Sequence, residues 1–217
     1  MQFQTGTIVG HYRALFQTGL TAGIAANGTI FSFSMQNLTP VRAVVTALSV
    51  GASLVTPFTA AQELGALAYV ARAFTTADSG GTAVSMAASV QTLNSLADNN
   101  SQATINVATT AALTAGARTV DANPFTGLAL AQPAASGSTN VPVNQSVGIQ
   151  VQSDQQFGQV LQSAFNPLNP SAASGTQEGI IVRLPVAQGA GGSVRYQVYM
   201  EWLEIAYGPG NVPGFTG

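Results

Sequence analysis

SVRYQVYMEWLEI, residues 193–205, alternates large apolar and polar side chains along its length. Val194, Tyr196, Val198, Met200 and Trp202 fall on one side; Arg195, Gln197, Tyr199 and Glu201 fall on the other. A period of two residues marks a β-strand with one face on a core and one toward water. On a helix the same residues would be scattered around the axis. Trp202 is therefore expected in the core. Arg195 and Glu201 are expected on the opposite face, too far apart along one strand to pair directly.

The alternation recurs upstream. Phe31, Phe33 and Met35 oppose Ser32, Ser34 and Gln36, and the preceding Asn27-Gly28 suits the two positive-φ positions of a type I′ hairpin turn. Residues 41–50 read as a second strand, richer in β-branched side chains and buried on both faces. Val147, Ile149 and Val151 alternate with Gly148, Gln150 and Gln152. Over 179–186, Ile180, Val182 and Leu184 oppose Ile181 and Arg183, and Pro185 marks an edge or a strand end. Residues 67–74 read as a strand, and 82–97 fits either strand or helix. One short helix is expected over 60–65, because Thr59-Ala60-Ala61-Gln62 fits a capping box.

Turn chemistry punctuates these runs at 78–81, 98–101, 123–124 and 189–192, with longer loops expected over 132–140 and 166–175. Many short strands separated by Gly, Pro and Asn clusters predict an all-β chain, a jelly-roll-like two-sheet sandwich with little helix. The 217 residues fit a single domain. An extended N-terminal arm over 1–10 and a Gly/Pro-rich tail over 208–217 either add strands to a neighbour's sheet or simply fray.

Charge narrows the function. Only 6% of residues are charged, against roughly 25% in an ordinary soluble domain. All six basic residues are Arg: Arg13, Arg42, Arg72, Arg118, Arg183 and Arg195. The acids are Glu63, Asp78, Asp98, Asp121, Asp154, Glu178, Glu201 and Glu204. A compact chain of this mass exposes on the order of 9,000 Å², and fourteen charges cover that thinly. Such a surface is expected to be neutral polar, covered by partners, or both. Disorder is excluded by 46% hydrophobic residues and a mean hydropathy of +0.27. Scattered Arg and a net charge of −2 speak against nucleic-acid binding. No run reaches the roughly 18 apolar residues of a membrane-spanning helix, so no membrane partner is expected. Residues 1–6 show no secretory signal.

The chemical inventory is short. His11 is the sole His and there is no Cys, so nothing suggests a thiolate or His-cluster metal site. A Ser-His-Asp triad lacks its G-x-S-x-G elbow. Glu201 and Glu204 have opposite parity and point to opposite faces. Glu178 with Glu201 remains open across neighbouring strands as a carboxylate pair, against the simpler reading that Glu178 pairs with Arg183 or Arg195. Asp78 and Asp98 lie in loops, with nothing to bring them together. No enzyme activity, cofactor, metal or small-molecule substrate is expected. His11 reads as structural or as a hydrogen bonder at an interface.

Several segments taken in order carry a resemblance: Gly10-His11-Tyr12-Arg13, FTAAQELG (58–65), VARAF (70–74), TTAALTAGART (109–119), QEGIIVR (177–183) and EWLE (201–204). Together they resemble small β-rich virion structural proteins of tailed bacteriophages; residues 127–169 carry no part of the likeness. The resemblance implies a cement or decoration protein on the capsid surface of the virion, made in the host cytoplasm. Its implied partners are the major capsid protein and further copies of itself, as a trimer or dimer. No catalytic residue carries over. The residues assigned to an interface are Met1, Gln2, Phe3, His11, Tyr12, Arg13, Tyr207 and Pro209. The competing expectation is a tail, collar or fibre-associated module that binds a host-surface glycan or another virion protein through exposed aromatics. Tyr12, Tyr69, Tyr199 and Tyr207 are its candidates.

Overall fold

A computed structural model describes residues 7–35, 41–84, 92–94, 101–132 and 178–206. Met1, Gln2, Phe3, Tyr207, Pro209, the strand expected around Val147–Val151, Asp98, the loop over 166–175 and the tail over 208–217 lie outside these residues, as does most of the loop over 132–140.

The described chain is all β. Its strands are β1 (Thr7–Gln17), β2 (Thr29–Ser34), β3 (Val41–Thr56), β4 (Gln62–Glu63), β5 (Ala66–Arg72), β6 (Thr82–Ala83), β7 (Thr92–Asn94), β8 (Thr104–Val107), β9 (Thr119–Val120), β10 (Thr126–Leu128), β11 (Ala131–Gln132), β12 (Gly179–Arg183) and β13 (Ser193–Ala206). One sheet runs β3-β13-β1-β7; a second runs β10-β5-β12-β2-β8-β6, with β9 also on β5; β11 and β4 form a small pair. All pairings are antiparallel. The winding is jelly-roll-like: β13 sits between β1 and β3 in one sheet, and β12 between β2 and β5 in the other. The first and last strands, β1 and β13, thus lie side by side in the four-stranded sheet.

The two sheets pack face to face over one core. Trp202 is 0% exposed, stacks on Tyr12 at 5.4 Å and meets the edge of Phe33 from the facing sheet at 5.4 Å. Phe16 and Phe31 bridge the sheets in the same way at 5.2 Å. Val194, Tyr196, Val198, Met200 and Trp202 all point inward, as their spacing requires. β12 is central and buried on both faces, which explains two adjacent isoleucines. Ile180 enters the main core, whereas Ile181 joins Tyr69, Ala71 and Phe74 in a second, smaller cluster behind the seven-stranded sheet. Pro185 follows the end of β12.

Several expectations are corrected. No helix forms over 60–65. Gln62 and Glu63 pair with Gln132 and Ala131, while Phe58 and Leu64 are buried in the core. Six residues offer little intrinsic helix stability, so packing decides. The Asn27-Gly28 turn is not type I′: Asn27 alone has positive φ, at 62°, and Gly28 N–H bonds Ala25 O. β2 pairs with β8 and β12, so that turn closes no hairpin. The strand expected over 41–50 runs on to Thr56. Only Ala43, Val44 and Val45 are buried in succession; Thr46 is an extra residue that then shifts the inward set from Ala43 and Val45 to Leu48, Val50, Ala52 and Leu54. The arm expected over 1–10 is too long, since Thr7–Gly10 already belong to β1 and pair with Glu204–Ala206.

Candidate interaction surface

The seven-stranded sheet carries its second cluster on its outer side. There Arg183 stacks over Tyr69 at 4.4 Å, and Arg118 lies 5.4 Å from the Phe74 ring. Even Ser32 and Ser34, which alternation sends outward, are buried. The outer face of the four-stranded sheet differs. Arg13, Leu15 and Gln17 of β1 and Arg195 of β13 are exposed there, with Gln197, Tyr199, Glu201 and Leu203 half-buried among them. Leu15 is 54% exposed and Val55, near the end of β3, 50%.

Cross-strand register assembles a polar cluster on this open face. His11 lies opposite Leu203, Arg13 opposite Glu201 and Leu15 opposite Tyr199. His11 Nε2 is 2.7 Å from Glu201 Oε1, each side chain 25% exposed, and the Tyr199 hydroxyl donates to Glu201 Oε2 at 3.1 Å. Burial, then the neighbouring Glu201, push the Tyr199 phenol above its ordinary value; Arg13 pulls the other way. The His–carboxylate pair resembles two parts of a catalytic relay, but the third group held here is a phenol that donates to the same carboxylate. That is an orienting arrangement rather than an activated nucleophile.

The other interface and acid residues fall as follows. Tyr12 leaves the proposed interface set: its parity sends it into the core, where burial and Glu204 push its phenol up to about 12. Glu201 and Glu204 do face opposite ways, Glu204 being 0% exposed beside Trp202. Glu178 and Glu201 cannot form a carboxylate pair, because Glu178 precedes β12 in one sheet and Glu201 lies on the outer face of the other. Glu178 pairs with Arg72, not with Arg183 or Arg195; Arg72 also forks onto Asp121 at 2.9 and 3.0 Å. Tyr69 is covered by Arg183 rather than displayed on a loop.

Two clusters had no clear signal in the sequence. Asp78 pairs with Arg118 in the interior and accepts Gly116 N–H at 2.8 Å. Glu204 accepts from the Ser101 hydroxyl, from Gln102 N–H at 3.1 Å and from the Trp202 indole N–H at 3.3 Å. No group of three His, Cys, Asp or Glu gathers among the described residues, and none of their elements is a helix long and apolar enough to cross a membrane. Comparison with protein-family models, with curated proteins and with solved structures finds no match to this chain.

Proposed function

We propose that this chain is a non-enzymatic structural subunit of a tailed-phage virion, a cement or decoration protein that binds major capsid subunits and further copies of itself. The observation that carries the reading is the shortage of surface charge. Of fourteen formal charges, Asp78, Arg118 and Glu204 are inside the fold, and Arg72 is shared between Asp121 and Glu178. A subunit at high local concentration on a shell gains from neutral strand faces, because each charge covered by a neighbour would need a partner.

The tail or fibre reading asks for a patch of displayed aromatics. Among the described candidates, Tyr12 and Tyr69 are buried and Tyr199 is half-buried, Tyr207 lying outside the described residues; this supports the head reading. The test is direct: purified protein is mixed with empty heads and with host cells, and intact particles are imaged. Sedimentation with heads, and density for this fold on the capsid, is the expected result. Binding to cells alone would replace the cement reading with the tail or fibre one.

A further inference from the structure

We propose that the outer face of the four-stranded sheet docks a second copy of this chain, face to face about a twofold axis. The inference rests on the self-association in the preceding reading and names the surface that performs it. A twofold contact needs a patch complementary to itself. Arg13 and Glu201 are direct cross-strand neighbours, as are Leu15 and Tyr199. A twofold axis running along the strands between β1 and β13 sets each Arg13 beside the other copy's Glu201 and each exposed Leu15 against the other copy's Tyr199. Glu201 is held in place for this by His11 and Tyr199.

Size and shape agree. The 14 residues of β13 span about 46 Å and three neighbouring strands about 14 Å. The face is therefore roughly 650 Å², near the ~800 Å² per partner of a standard interface. Across from Tyr199, Gln197 and Arg195, β3 presents only Ser49, Gly51 and Ser53. Those small residues let a second sheet approach to the ~10 Å of ordinary sheet stacking.

The experiment is sedimentation velocity with light scattering on the full chain, over a range of concentrations. A dimer of twice 22.0 kDa is expected. Leu15→Asp, an outward position that leaves the core intact, should raise the self-association Kd by about thirtyfold or more. Val186→Asp, at an exposed site elsewhere, should leave it unchanged, and Trp202 fluorescence verifies that both variants are folded. A monomer or trimer of the unmodified chain, an unaffected Leu15→Asp dimer, or equal losses in both variants would overturn the proposal. A monomer that still binds heads would end this interface and leave the virion reading standing; a dimer that ignores heads would do the reverse.

Discussion

The phenol of Tyr12 folds back along its own strand over Gly10, so that a β-carbon at position 10 would collide with its hydroxyl end. The ring cannot swing clear, because its other side is stacked on Trp202 in a fully packed core. Gly10→Ala should therefore cost about 1–3 kcal/mol by overpacking, measured as a lower urea midpoint. Tyr12→Leu placed in the same background should regain part of that loss. A double variant that loses the full sum of both changes would show that the ring is not the obstacle.

Glu204 makes stability depend on pH in an unusual direction. Burial pushes its carboxyl above the ordinary range, against the pull of Ser101, Gln102 and Trp202. Glu178 is raised by burial too, with Arg72 opposing. Between the ordinary Glu pKa of about 4.3 and these raised values, the folded chain holds protons that the unfolded chain releases. Stability then rises as pH falls through that window and declines as pH climbs out of it. The urea midpoint should increase as pH is lowered from 7 toward the ordinary carboxylate range, and Glu204→Gln should flatten the slope. Parallel profiles for the two proteins would assign the effect to other groups.

Trp202 is the sole tryptophan, and it touches aromatic rings of both sheets. Its emission should be blue-shifted in the folded state and move to the red in one transition with loss of β circular dichroism. Trp202→Ala should cost about 3–5 kcal/mol, read by circular dichroism since the fluorophore is gone. A loss under 1 kcal/mol would mean that the sheets stay joined without it.

Alternation made the strand framework legible wherever one face of a strand meets the core and the other meets water. Residues 193–205 are such a case; the Phe31–Phe33–Met35 series was legible from its serines, although these are buried too. It failed where local preference competed with packing. At 60–65 a capping pattern lost to the burial of Phe58 and Leu64. In β3 the bulge at Thr46 reversed the parity, which no residue type announces. His11, Arg13 and Glu201 carried their outward parity in the sequence, but their meeting depends on β1 pairing with β13 across about 190 residues. Tyr12 is buried for the same reason that Arg13 is exposed: neighbours on a strand face opposite ways.

Asp78 and Arg118, forty positions apart, are the least legible pair and the most exacting to test. Their side chains are 0% and 4% exposed. Arg118 also donates to the Thr29 hydroxyl at 2.9 Å, so the pair pins residues 78–79 and 114–118 against the seven-stranded sheet. Asp78→Ala leaves a guanidinium in the interior without its carboxylate and strips Gly116 N–H of its acceptor; a loss of about 3–5 kcal/mol is expected. Replacing both charges, as Asp78→Leu with Arg118→Met, removes two desolvation penalties along with their attraction. The double variant should therefore be at least as stable as either single one, and close to the parent. Urea denaturation of the parent, Asp78→Leu, Arg118→Met and the double variant closes the cycle. Additive losses would show that the two groups act separately, whereas a double variant well above the sum identifies the unpaired cation, rather than the lost bond, as the source of the damage.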